Sequence, residues 1–232
     1  MSLSILALRP DLLNVNGDAE NARVLAVRAG WAGIDARIVH DVSELPTAVV
    51  IGSGYDGDAA ATVEAIREHR DLLVDCIAND IPVLAIAMGL ELLGSRIEIA
   101  AGEWIDGLKL IEGESALVPT RMHGDLVVES EFGTLVGFEN HTRSWIGSDP
   151  ALGEVIFGHG NATPERVEGL VHGSVIGTHI RGPVLARNPV LADHILRRAT
   201  GGMYTERGAD AHSADRIAET SRAKTLTTRI GR

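Results

Sequence analysis

Through the first hundred residues, short apolar runs alternate with segments whose apolar residues recur at helical spacing. That alternation predicts parallel strands joined by crossover helices. Ser4-Ile5-Leu6-Ala7-Leu8 reads as a first strand and Ala36-Arg37-Ile38-Val39-His40 as a second, with Ala22, Leu25, Ala26 and Ala29 marking a helix over 18–31 between them. Gly17-Asp18 is expected to cap that helix and Gly33 to stop it. A third strand over 47–51 ends at Gly52-Ser53-Gly54. Val63, Ile66, Leu73 and Ile77 then form one stripe of a single long helix expected over 58–78, beyond which Pro82 allows no continuation. The unbroken apolar run Val83-Leu84-Ala85-Ile86-Ala87 predicts a central strand covered on both faces, passing directly into a helix over 88–93.

Beyond Gly94 the texture changes. Short alternating segments over 125–129, 134–138, 154–157 and 175–179, separated by glycines, predict the antiparallel or mixed part of the same sheet. Asn188-Pro189 opens a last helix over 190–199, which Gly201-Gly202 ends. Residues 203–232 are polar and weakly patterned. The expected division is therefore one domain over 1–202 and a mobile C-terminal tail over 203–232, in which 212–223 is a candidate helix for contact with a partner.

Composition narrows the function classes. Of 232 residues 45% are hydrophobic and 23% charged, enough for a full core, which excludes a disordered chain. Lys and Arg number 21 against 32 Asp and Glu, a net charge of −11 with no basic cluster, so nucleic acid is not an expected partner. No apolar run approaches the roughly 20 residues of a bilayer span, so membrane insertion is not expected. The opening Met-Ser-Leu-Ser-Ile-Leu lacks the features of a signal peptide, and a single cysteine, Cys76, cannot build an internal disulfide or a Cys-rich metal site. A cytoplasmic location is the expectation. Near the end of the long helix, Cys76 reads as a small buried hydrophobe rather than a nucleophile. The nine histidines show no tight metal spacing, and neither a metal nor a cofactor is expected.

Ligands of a doubly wound sheet collect at the carboxyl ends of its strands, which singles out Gly52-Ser53-Gly54-Tyr55-Asp56 and the turn Ala87-Met88-Gly89. A sharp strand-to-helix turn either packs the two elements or exposes a nucleophile beside backbone N–H groups. Spacing alone leaves both open.

A wider set of residues carries a family pattern. Asp11-Leu12-Leu13-Asn14 with Gly17-Asp18 and Asn21, the two loops above, the continuation Leu90-Glu91-Leu92-Leu93-Gly94, Gly137-Phe138-Glu139-Asn140-His141, Gly158-His159-Gly160-Asn161, and the stretch from Gly177 to Pro189 together resemble the CobB/CobQ-like class I glutamine amidotransferases. Within that family the chain is most similar to the GatD group. These are glutaminase subunits that work with the Mur-ligase-like subunit MurT to amidate D-glutamate in peptidoglycan lipid II. The resemblance covers about residues 4–200. It implies an α/β, flavodoxin-like sandwich with a mixed central sheet, which the pattern reading reaches independently.

The departures from the family are as informative as the matches. Where the family has Cys-Gly-Gly-Tyr-Gln, with the cysteine attacking the glutamine amide, this chain has Ala87-Met88-Gly89-Leu90-Glu91. Where the family has Tyr-Leu-His-Gly-Pro, with the histidine as base, it has His179-Ile180-Arg181-Gly182-Pro183. Ala87 offers no nucleophilic atom, and an arginine at 181 stays protonated near neutral pH. Glutaminase activity by the family route is therefore expected to be absent. What the resemblance leaves is binding: Gly52, Gly54, Tyr55, Met88, Glu91, Arg121, Asn140, His141 and His179 are the candidate ligand-binding residues. Among them, Arg121 is similar to the arginine placed in that group to hold glutamine. His179, two residues before Arg181 on an expected strand, would share its face. A buried Arg181 needs a carboxylate, and Glu91 is the expected partner.

The leading expectation is a subunit that has lost glutaminase activity and supports a MurT-like ligase acting on the D-glutamate α-carboxylate of a peptidoglycan precursor. The amine would then come from free ammonia or an amino acid such as glycine. Two alternatives remain: a hydrolase or transferase with a site rebuilt from Glu91, His179 and Arg181, and a module that binds glutamine without cleaving it.

Overall fold

In the computed structural model, which describes residues 2–206 and 208–231, the predicted alternation appears as β1 (Ser2–Ala7), α1 (Glu20–Trp31), β2 (Asp35–Val39), β3 (Ala48–Ile51), α2 (Ala59–Arg67), α3 (Arg70–Ala78), β4 (Val83–Ile86) and α4 (Met88–Leu93). β3 and β4 are buried at every position, as their uninterrupted apolar runs require of strands covered on both faces. They lie centrally in a six-stranded sheet of order β2-β1-β3-β4-β12-β11, where β12 is Val175–Thr178 and β11 is Leu170–His172. The first five strands are parallel and β11 is an antiparallel edge. This is the flavodoxin-type order, and its direction switches between β1 and β3, where ligands are expected. The pairings Ala7↔Val50, Ile51↔Ala85 and Thr178↔Ile86 bring the carboxyl ends of β1, β3, β4 and β12 to one edge.

Beyond Gly94, β12 and β11 extend the first sheet, as expected of 175–179, but the strands before them depart from expectation and build a second one. Its members are β5 (Arg96–Ala100), β6 (Glu103–Asp106), β7 (Gly113–Ser130), β8 (Gly133–Gly147), β9 (Gly153–Phe157) and β10 (Val167–Glu168), in the order β10-β9-β7-β5-β6 with β8 on the other side of β7. The segments predicted at 125–129 and 134–138 are the turn-proximal ends of one long β7–β8 hairpin. A backbone bridge between Phe138 and Arg181 ties it to the first sheet. Leu126, Val128 and Leu135 pack with Leu3, Ile5 and Ile86 in one core, and Trp145 of β8 packs with Leu6, Leu8 and Ile51 in the other.

Three further expectations are corrected. The helix expected over 58–78 is two helices, α2 and α3, separated at Glu68-His69. A tight turn, His69 N–H to the Ile66 carbonyl at 2.9 Å, falls in the charged run 67–71, where no apolar side chain holds the backbone to the sheet. Asp18 does not cap α1: it is fully buried, and Asn14 Oδ1 instead accepts the Ala19 N–H at 2.9 Å. Finally, the tail expected to be mobile carries the candidate helix of 212–223 in extended form, α7 (Ala209–Ile230), which lies on its own chain beside α1, α5 (Val184–Arg187) and β9, the chain having passed through α6 (Pro189–Ala199). It buries only Ala211 and Ala218 and is anchored ionically: Arg28 of α1 reaches Asp215 at 2.7 Å, and Arg229 reaches Asp125 at 2.7 Å. None of the described helices is long and apolar enough to cross a membrane.

Candidate functional site

The strand-to-helix turn after β4 keeps a specialised backbone. Ala87 has φ 47° and ψ −109°, a region that residues with a Cβ rarely occupy, held by Ala87 N–H donating to the Thr178 carbonyl (2.8 Å) and Glu91 N–H to the Ala87 carbonyl (3.0 Å). This is the sharp elbow on which α/β enzymes present a nucleophile. Here it presents a methyl group, and both Ala87 and Met88 are 1% exposed. Gly89 lets the elbow close against β3: a Cβ there would lie 2.5 Å from the Ile51 carbonyl oxygen and 2.6 Å from that of Gly52. The Met88 N–H, which such an elbow directs at a developing oxyanion, lies 3.4 Å from Ser53 Oγ.

Beside the elbow, at the switch point, opens a polar cleft of about 630 Å³. Gly54, Tyr55, Arg121, Asn140 and Arg181, all singled out from the sequence, line it, together with Asp56, Asn14 and Asn16. Arg121 enters from β7 and donates to Asn140 Oδ1 (2.9 Å) and to Asp56 Oδ2 (2.7 Å). Arg181 arrives from beyond β12, where its N–H donates to the Phe138 carbonyl at 2.8 Å.

The expected Arg181–Glu91 ion pair does not form. Glu91 is buried against Arg143 of β8, whose Nη1 lies 3.0 Å from Glu91 Oε2 and 3.2 Å from Asp56 Oδ1, while its Nε donates to the Glu98 carbonyl at 2.8 Å. Arg143 is itself 1% exposed, so a fully engaged guanidinium closes the space under the elbow. Arg181 instead faces Asp18 at 3.8 Å. Burial pushes the Asp18 carboxyl up to about 7, opposed by the Arg181 charge and the Ser53 backbone amide. Burial likewise lowers Arg181 from its ordinary range. Asp18 and Arg143 were not among the candidates. The signal for Asp18 was present, since a buried arginine calls for a carboxylate and Gly17-Asp18 belongs to the quoted pattern. Arg143 lay two residues past His141 and carried no signal of its own.

His179 and His141 lie elsewhere. Both are buried, with ring centroids 4.3 Å apart. His141 Nδ1 donates to the Arg143 carbonyl (2.7 Å), and burial, reinforced by His179, lowers its pKa. The His179 N–H and Thr178 Oγ1–H both donate to Glu168 Oε1 at 2.6 Å. β12 ends at Thr178, so the strand alternation expected to aim His179 and Arg181 the same way breaks there, and the trio Glu91, His179 and Arg181 does not converge. Gly52 sits under the cleft, where a Cβ would strike the Leu13 carbonyl. Cys76 is buried on α3, and burial pushes its thiol up to about 11. Among the described residues, no group of three or more His, Cys, Asp or Glu side chains is arranged to hold a metal ion.

Sequence comparisons with known proteins agree on one family. The sequence model of the CobB/CobQ-like glutamine amidotransferase domain matches residues 4–189. The chain is 30% identical over 205 residues to the GatD subunit of the glutamine-hydrolysing lipid II isoglutaminyl synthase of Staphylococcus aureus, covering 85% of this chain and 84% of that one. With the GatD subunit of Streptococcus pneumoniae it is 30% identical over 216 residues, covering 87% and 82%. Among solved structures, PurLQS from Thermotoga maritima superposes with a TM-score of 0.56 at 15% identity, over 88% of this chain and 98% of that one. A glutamine amidotransferase of the same organism gives 0.54 at 15%, over 97% and 94%. At these identities the structural likeness is one of fold.

Proposed function

Because the chain belongs to the CobB/CobQ-like glutamine amidotransferase family, we propose that it is a GatD-like subunit of a lipid II-modifying ligase complex that has given up glutamine hydrolysis. One observation carries the reading: the elbow backbone is kept while its side chain is a buried methyl group. Attack on a carboxamide needs a nucleophile and a base to take its proton. At the elbow Ala87 offers no nucleophile and Arg181 is a cation; Asp56, the carboxylate of the cleft, is ion-paired to Arg121 and Arg143, and His141 and His179 are buried outside the cleft lining. The partner is then a MurT-like Mur ligase, for which the chain acts as a structural component, and the D-glutamate α-carboxylate of the precursor receives ammonia or an amino acid such as glycine. The extent of the similarity to two GatD subunits supports the partnership.

The test is co-expression with the Mur-ligase-like protein encoded in the same genome. A stable pair is expected, with no glutamate released from glutamine and with product formed from a free amine and ATP. A pair that consumes glutamine with enzymatic turnover overturns the loss of activity, and two proteins that do not associate overturn the subunit role.

A further inference from the structure

At the floor of the cleft two charged groups meet without completing each other's hydrogen bonds. Arg181 is 4% exposed and its Nε has no hydrogen-bond partner, while Asp18 is fully buried with no side-chain donor on either carboxylate oxygen and only the Ser53 backbone amide close to it. Their closest approach, 3.8 Å, is too long for a hydrogen bond. Among the described residues the other two buried arginines are paired tightly: Arg143 reaches Glu91 at 3.0 Å, and Arg28 reaches Asp215 at 2.7 Å. Of the three, Arg181 is the one whose pair is loose, and it lines the cleft with Arg121, Asn140, Asn14 and Tyr55.

We propose that this cleft binds a small dicarboxylate of glutamate size, with one carboxylate on Arg181, and that it rejects the corresponding amide. A guanidinium offers only donors. A carboxylate satisfies two of them with charge-assisted bonds, whereas a carboxamide offers the guanidinium a single neutral acceptor oxygen and turns its NH₂ donors toward the same cation. The other carboxylate would meet Arg121 in the same cleft, sharing its guanidinium with Asp56 and Asn140. The inference rests on the reading that the cleft no longer hydrolyses glutamine. It adds that the same replacement reverses the ligand preference.

Asp18 makes this binding pH-dependent. The charged groups facing Arg181 are Asp18, Glu91, Asp56 and Arg121. Glu91 is held by Arg143, and Asp56 by Arg121 and Arg143, so Asp18 is the uncommitted competitor. Burial pushes its carboxyl up to about 7. Below that pH it is neutral and leaves Arg181 free for the ligand. Above it the ionised Asp18 competes, and affinity falls by up to about tenfold per pH unit.

Calorimetry on the full chain with L-glutamate, glutarate and L-glutamine, between about pH 6 and pH 8, decides the matter. Glutamate and glutarate are expected to bind at least about tenfold tighter than glutamine, with proton uptake near pH 7 detected by comparing buffers of different ionisation enthalpy. Arg181→Gln should erase the preference for the acids, and Asp18→Asn should flatten the pH dependence. Glutamine binding as tightly as glutamate overturns the proposal, as does no binding of either acid at millimolar concentration. The wild-type ligand order and the proton uptake need no variant to fold. Glutamine turnover by the complex would sink the functional reading and leave the binding order to stand on its own measurement. Equal binding of acid and amide would sink only the inference.

Discussion

Ala87 occupies a backbone region that L-residues avoid, and an elbow that presents no catalytic group gains nothing from the strain. Replacing it by glycine should relieve about 1–3 kcal/mol of conformational strain. Against this stand about 0.8 kcal/mol for one buried methyl group and a glycine entropy term of about 0.5–1 kcal/mol. Ala87→Gly is therefore expected to fall between a loss of about 1 kcal/mol and a gain of about 2 kcal/mol, centred near neutral, whereas Ala85→Gly, two residues earlier in β4 with ordinary strand geometry, should lose about 1–2 kcal/mol. Urea denaturation of both variants checks this, and equal losses would mean that the elbow is unstrained. At this scale the sequence spoke clearly about what was missing. The absent thiol and imidazole are visible at positions 87 and 181. Which acid meets Arg181 was not visible, because Arg143, more than fifty residues beyond Glu91 along the chain, claims that carboxylate across the seam between sheets.

Among the elements, those with apolar periodicity were legible and those held otherwise were not. β1, β3, β4 and α4 follow directly from their hydrophobic runs. The β7–β8 hairpin hides because Pro119 and Gly124 read as strand breakers. In the folded chain a register shift between Leu117 and Met122 absorbs the proline, and Gly124 takes a positive φ of 126°. Helix α7 hides for the opposite reason: it has almost no apolar face, and its docking is ionic. Arg28 is 3% exposed and joins Asp193 of α6 at 2.8 Å to Asp215 of α7 at 2.7 Å, with Tyr204 Oη–H donating to the same Asp193 oxygen at 2.7 Å. Removing the cation leaves two acids facing each other, one of them buried. Arg28→Ala should thus destabilise by about 3–5 kcal/mol and expose α7 to limited proteolysis. Asp215→Asn, at the more exposed end, should lose about 1 kcal/mol. If Arg28→Ala leaves the protease pattern of α7 unchanged, the helix is held by something other than this arginine.

At the scale of the whole molecule, the cleft exists because two sheets of different origin are locked at one seam. Arg181 belongs to the first sheet's end, Arg121 and Asn140 to the hairpin of the second, and the Arg181 N–H bond to the Phe138 carbonyl fixes their separation. That β1 to β4 are parallel strands joined by helices could be anticipated from the alternation of strands and helices. A second sheet could not, since strand periodicity says which face is buried and nothing about which neighbour covers it. Gly137 is the residue that lets the sheets approach: a Cβ there would strike the Ile180 side chain and come within 2.9 Å of the Arg181 carbonyl oxygen. Both contacts are buried, so neither can swing aside into solvent. Gly137→Ala should lose about 1–3 kcal/mol by overpacking, and the displacement should fall on the Arg181 backbone, where amide exchange of its N–H should accelerate relative to that of Ala87 in the elbow. Glu131→Ala, exposed at the hairpin turn, should stay within about 0.5 kcal/mol of the parent and leave both amides as they were. A Gly137→Ala chain that unfolds at lower denaturant while Arg181 keeps its protection would place the wedge's effect inside the hairpin. The geometry of the cleft floor would then be set by β12 and the elbow alone, without the second sheet.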